Sequence, residues 1–245
     1  MTDINRLPRN WAKAMKNAAA ASEAVRNILM SGDPAYEIVY THFLGDALPS
    51  EWGAAKTNGT SAAVTVASSR LTCTSGTDDD GYAGQGFGLF WSGDKGFYFE
   101  NYTALDTVTT SKLEIGVTDS IADAGAVGAK ATPTATASDF CVLVRDTDDN
   151  TDLDLISLKS GGSATANAEG VYTVAGGTYF RSEFRGQNDA VSVFVNGGQV
   201  GSGAIEGGNA ISPWVFVQSR AVSASRIATS EYWIMVGPSG LAIPG

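Results

Sequence analysis

The chain has 245 residues, 43% of them hydrophobic, with 29 glycines and a formal net charge of −10. This profile suits one large, turn-rich β-domain with an appendage, and no run approaches the roughly 18 apolar residues of a membrane span. The charge is uneven. Residues 1–32 hold Arg6, Arg9, Lys13, Lys16 and Arg26 against Asp3 and Glu23, a net of +3, which leaves −13 for the rest. So acidic a body argues against nucleic acid as a partner, because that affinity rests on neutralising phosphates. The basic side chains also interrupt the apolar core that a secretory signal needs, so the expectation is a protein made in a cytoplasm and not held in a membrane.

Residues 4–29 carry the one helical pattern. Ile4, Leu7, Trp11, Ala14, Ala18, Ala21, Val25 and Ile28 recur at spacings of three and four, and Met15 and Leu29 widen the stripe. Pro8 fits a first turn, and Ser31-Gly32-Asp33-Pro34 fits a stop. We therefore read residues 1–32 as an amphipathic helical arm and residues 33–245 as the body. The seam either packs on its own domain or serves assembly, with Trp11, Met15, Val25 and Leu29 as the expected contacts and a homotrimer as the expected state.

After Pro34 the pattern becomes strands and turns. Expected strands cover 36–43, 62–67, 70–75, 82–91, 96–102, 112–117, 139–145, 153–158, 171–174, 178–184, 190–195, 213–220 and 230–236. Short strands at this spacing point to an all-β, two-sheet antiparallel sandwich. The stretch from Thr178 to Gly203 is the most explicit. Phe180 and Phe184 share one strand face, while Tyr179, Arg181, Glu183 and Arg185 share the other. Val191, Val193 and Val195 then share a face, and Asn196-Gly197 supplies the positive φ that a type I′ turn requires.

Chemistry-bearing patterns are few. His42 is the single histidine and stands in a strand, which removes most zinc and Ser-His designs. Glu100, Glu114 and Glu183 each stand alone in their strands, so no acid pair two residues apart is available for glycoside hydrolysis, and no enzyme is expected. The glycines of Gly81 to Gly88 run into a strand rather than opening a helix, so they do not make a dinucleotide loop. Asp146, Asp148, Asn150 and Asp152 place oxygens at alternate positions, as calcium loops do. The same cluster also reads as a solvated turn, and no other cofactor is indicated. Asp78-Asp79-Asp80 reads in the same two ways. Trp52, in the loop PSEWGAA, is the candidate ring for stacking on a sugar. Cys73 and Cys141 both fall in strands and read as small buried side chains, with a disulfide between them as the alternative.

Phe97-Tyr98-Phe99-Glu100 through Ile115-Gly116-Val117, the Phe194-Val195-Asn196-Gly197 hairpin, and the strands WVFVQ from Trp214 and EYWIM from Glu231 resemble the jelly-roll sandwiches of concanavalin A and laminin-G type. With a short N-terminal helix, the pattern is similar to such domains in tailed-bacteriophage virions. That resemblance implies a non-enzymatic virion protein on the capsid surface, a decoration or cement protein whose partners are the major capsid protein and its own copies. The alternative, ranked second, is a carbohydrate-binding module or receptor-binding fibre head, with a glycan as partner.

Overall fold

The computed structural model describes residues 36–43, 47–48, 52–89, 91–93, 96–121 and 124–238. The expected arm, including Trp11, Met15, Val25 and Leu29, lies outside the described residues. Those described form two antiparallel sheets of eight strands each.

Sheet A runs β14 (Gly198–Ala204), β13 (Ala190–Val195), β12 (Phe180–Gln187), β7 (Phe97–Leu105), β16 (Ile227–Pro238), β4 (Arg70–Thr74), β3 (Ala63–Ala67). β1 (Tyr36–Thr41) pairs the second half of β16. Sheet B runs β11 (Thr165–Thr173), β10 (Asn150–Leu158), β9 (Phe140–Asp146), β8 (Ser111–Thr118), β15 (Ala210–Ser219), β5 (Tyr82–Gly86), β2 (Lys56–Asn58). β6 (Trp91–Ser92) pairs the start of β15. The described residues thus form the all-β, two-sheet antiparallel sandwich to which the strand pattern points.

Turn chemistry sets the hairpins. Asn196 and Gly197 both have positive φ (50° and 85°), as do Asn188 and Asp189 (51° and 64°) and Ser68 and Ser69 (53° and 60°). Two consecutive positive-φ residues give the twist that antiparallel neighbours need. Register then follows from the alternation of apolar side chains. Phe99, Phe184, Val193, Trp233 and Met235 of sheet A face Leu113, Ile115, Leu143, Leu155, Val215 and Val217 of sheet B in one core. Pro213 sits inside β15, where its missing N–H falls at the change of neighbour from β6 to β5. Ser212 Oγ spans the same gap, accepting from Phe87 N at 3.0 Å and Gly88 N at 3.2 Å.

The outer face of sheet B is covered by the chain between β8 and β9. Ala126, Val127 and Ala137 pack there on Phe140, Val142, Val144, Ile156 and Leu158. Glu114 anchors that cover by accepting from Ala126 N (2.7 Å), Val127 N (3.1 Å) and Trp214 Nε1 (3.2 Å), and its charge meets Lys112 Nζ at 2.9 Å. A side chain at position 125 would put its Cβ 2.6 Å from Glu114 Oε1, and φ is +83° there, so glycine is required. The outer face of sheet A is thus the broad sheet surface where polar side chains gather.

Some expected strands shift. The expected strand 82–91 is divided into β5 and β6. β11 begins at Thr165 rather than near Val171, and β2 has no counterpart in the expectation. Both are terminal strands. β2 is held by backbone pairing to β5 without an apolar face of its own, whereas β11 pairs with β10 and also packs Ala168, Val171 and Tyr172 on the core.

Candidate functional site

Three neighbouring strands build a polar grid on the outer face of sheet A. In β7, Phe97 and Phe99 turn to the core, so Tyr98, Glu100 and Tyr102 turn outward. Register aligns Tyr98 with Arg185 and Val236, Glu100 with Glu183 and Ile234, and Tyr102 with Arg181 and Tyr232. Paired residues share a face, so Glu100 and Glu183 are cross-strand neighbours.

Both carboxylates are sealed, Glu100 at 0% and Glu183 at 1% exposure. Glu100 accepts hydrogen bonds from Tyr98 Oη and, at 2.9 Å, from Tyr232 Oη. Glu183 meets Arg185 Nη2 at 2.8 Å and Arg181 Nη2 at 3.1 Å, and Tyr98 Oη lies 3.4 Å from its Oε2. Burial pushes the Glu100 carboxyl above its ordinary range, the two tyrosine hydrogen bonds pull the other way, and the neighbouring Glu183 charge adds to the rise. The pair is therefore asymmetric, with one carboxylate braced by guanidinium groups and the other by phenols.

Above this floor lies a rim of half-buried groups. Tyr102 stacks between Tyr179 (5.1 Å, 28°) and Tyr232 (5.6 Å, 19°). Arg185 lies 4.0 Å over the Phe194 ring, and Arg70 5.9 Å over Tyr179. Rings stacked side by side cover one another's faces and present edges, so the rim offers hydroxyl and guanidinium groups rather than a flat aromatic platform.

The grid is not legible strand by strand, because each glutamate stands alone in its own strand. The available signal was the shared phase of FYFEN and RSEFR, each with its glutamate opposite its phenylalanines. Pairing them needs the contact between β7 and β12, which the local pattern does not contain.

Trp52 is a correction. It is 8% exposed and packs on Phe43 (5.6 Å), Phe87 (5.0 Å) and Trp233 (4.9 Å), so its faces belong to the core and cannot stack on a sugar. The Asp146–Asp152 loop, read either as calcium ligands or as a solvated turn, is held by cations of the chain itself. Asp146 Oδ1 accepts from Arg220 Nε at 3.0 Å, and Asp148 Oδ2 lies 3.3 Å from the same atom. Asn150 Oδ1 and the Asp152 carbonyl instead accept from Lys130 Nζ, while the Asp152 carboxylate accepts from Thr173 Oγ1 at 2.6 Å. The four oxygen sources thus face two separate cations of the chain itself. Among the described residues no three His, Cys, Asp or Glu side chains converge as a metal site.

In the second acidic cluster, Asp78 caps Thr60 N at 2.8 Å and Asp80 meets Arg220 Nη1 at 2.6 Å. Cys73 and Cys141 are both buried free thiols, as the first of the two readings had it. His42 is exposed at the end of β1 and sets its ring edge-on to Tyr232 at 6.2 Å.

No family model matches this sequence, and no curated protein matches it. Solved structures do match in fold. Peanut lectin aligns with a TM-score of 0.56 at 13% identity over 82% of this chain and 97% of that one. The carbohydrate recognition domain of Emp47p aligns at 0.55 and 10%, over 84% and 96%. Crh5 transglycosylase aligns at 0.57 and 10%, over 85% and 87%. At these identities the likeness is one of fold.

Proposed function

We propose that this chain is a non-enzymatic carbohydrate-binding module whose ligand lies on the outer face of sheet A. The observation that carries the reading is the Tyr102, Tyr179, Tyr232, Arg181 and Arg185 rim, held from beneath by the buried Glu100 and Glu183 pair. Sugar hydroxyls are recognised by directional donors and acceptors, and groups fixed by buried partners lose little freedom on binding. The lectin and the recognition domain among the fold neighbours support the same reading.

Access to the carboxylates supports binding over cleavage. A general acid must come within hydrogen-bond reach of the glycosidic oxygen. Both carboxylates instead lie under the tyrosines and arginines that they hold. A glycan array on the full-length protein, followed by calorimetry on its best hit, tests this. Tyr102→Ala and Arg185→Ala should each weaken binding about tenfold or more, which is the loss of one or two hydrogen bonds. An array blank for the native protein would overturn the proposal, and release of reducing ends from the bound oligosaccharide would overturn its non-enzymatic part.

A second reading is the capsid decoration protein on a virion, favoured by the +3 arm set against a −13 body. Opposite charges on the two parts suit an arm that reaches the acidic surface of a neighbouring copy. Its test is taken up at the scale of the whole molecule below.

A further inference from the structure

The cover over sheet B carries Lys130, whose side chain is 0% exposed. Its Nζ contacts Asn150 Oδ1 and, at 2.8 Å, Asp152 O. It also lies 3.1 Å from Asp154 Oδ2 and 3.9 Å from Asp149 Oδ2. In the pairing of β9 with β10, Asn150 stands opposite Asp146 and Asp154 opposite Val144, so both side chains point to the covered outer face. The Asn150 carboxamide is fixed at both ends. Its Oδ1 also accepts from Asp152 N at 3.0 Å, and its Nδ2 donates to Asp149 Oδ2 at 3.1 Å. A carbonyl carbon lies one bond, about 1.2 Å, behind its oxygen, so Cγ is a neighbour of Nζ as well. A primary amine, an amide carbon and a carboxylate able to move protons therefore share one site.

We propose that Lys130 and Asn150 join in an isopeptide bond, a covalent tie between the cover over sheet B and the β9–β10 turn. Asp154 takes one proton from Nζ and so frees its lone pair. Neutralising both partners together is favoured where water is excluded, and the Asp154 side chain is 5% exposed. Nζ then attacks Asn150 Cγ, while the Asp152 N–H stabilises the charge that gathers on Oδ1. The Cγ–Nδ2 bond breaks as Asp154 passes its proton to the leaving nitrogen. The departing ammonia takes a second proton from Nζ, which keeps one as the new amide N–H. A lysine ammonium and a carboxamide thus become a secondary amide and an ammonium ion, and Asp154 ends as the carboxylate it was. No oxidant, metal or co-reactant enters the balance. Asn150 is exposed, so the ammonium ion has a way out to solvent. Amine and amide do not react at useful rates when free in water, but partners held in contact gain the advantage of an intramolecular reaction. The step involves none of the tyrosines and arginines of the sheet A rim and does not depend on any ligand there.

The test is the intact mass of the purified full-length protein in denaturant, followed by digestion and fragmentation of the peptides in the mass spectrometer. The mass should fall below that of the sequence by one ammonia, and digestion should yield a branched peptide joined through Lys130 and Asn150. Asn150→Ala and Lys130→Arg should each restore the mass of their own sequence. Both substitutions also remove an ion pair or a hydrogen bond, so the branched peptide of the native protein, which needs no variant, decides. An intact mass equal to that of the sequence overturns the proposal and leaves Lys130 as an ordinary buried ion pair. An ammonia loss that persists in Asn150→Ala also overturns it. So does one that maps to Asn58-Gly59 or Asn196-Gly197, where closure to a succinimide changes the mass equally.

Discussion

Asp139, the residue before β9, is a carboxylate whose surroundings favour its protonated form. Burial raises it from an ordinary 3.8 to about 6, against the opposing pull of Glu206 N (2.9 and 3.0 Å) and Asn209 Nδ2 (3.3 Å). The folded state therefore takes up this proton at a higher pH than the unfolded chain does. Its stability should rise as pH falls from about 7 through 6 towards 4, and be lost again as pH climbs back through that window. The effect is on the order of 1–3 kcal/mol, or several degrees of melting temperature for a domain of this size. Glu100, also raised by burial, adds in the same direction. Asp139→Asn keeps acceptor capacity without the charge. Melting curves at pH 5 and pH 7 should therefore differ less in this variant than in the native protein, and an equal difference in both would refute the assignment.

At the scale of elements, buried ion pairs hold loops to strands. Lys112 and Glu114 are 1% and 0% exposed in their side chains, and the carboxylate also receives the cover over sheet B. Glu114→Ala would strand a buried ammonium and two backbone N–H groups, so a loss of about 3–5 kcal/mol is expected, read as a lower denaturant midpoint. Lys112→Met combined with Glu114→Gln should lose less than Glu114→Ala alone, because no charge is left unpaired. Another pair joins the β9–β10 turn to the end of β15 through Arg220 and Asp146, whose side chains are 12% and 2% exposed. Arg220 also reaches Asp80 at 2.6 Å. Since a guanidinium already stands where a calcium ion would have to, millimolar calcium should leave the native melting temperature unchanged. Arg220→Lys should be destabilised because it cannot reproduce the forked contact. A rise of several degrees with calcium in the native protein would count against this account.

For the whole molecule, the core among the described residues begins at Phe43 and is closed by strands far apart in the chain, β7 with both β12 and β16. Deleting residues 1–30 should therefore leave a cooperatively unfolding sandwich. Light scattering on the two forms then tests the assembly reading. A full-length trimer that becomes a folded monomer supports the decoration protein, whereas a monomer in both forms leaves the carbohydrate-binding module as the better account.

Most strands, the hairpin turns and the all-β class were legible in the residues, because alternation of apolar side chains and paired positive-φ residues are local properties. Asn196-Gly197 and the Phe180/Phe184 face are the plainest cases. β2, a strand without an apolar face of its own, left no such mark, and β11 was legible only at its Val171 end. Nor did the site. Glu100 and Glu183 are 83 positions apart in the sequence and become neighbours only through a register fixed by the phenylalanines on the opposite face. Trp52 and the Asp146–Asp152 loop read as exposed from their neighbours in sequence. It took the closing of the two sheets to put one among core rings and to bring Arg220 and Lys130 to the other. Local periodicity decides which face of a strand is buried, and long-range pairing decides which polar side chains that burial brings together.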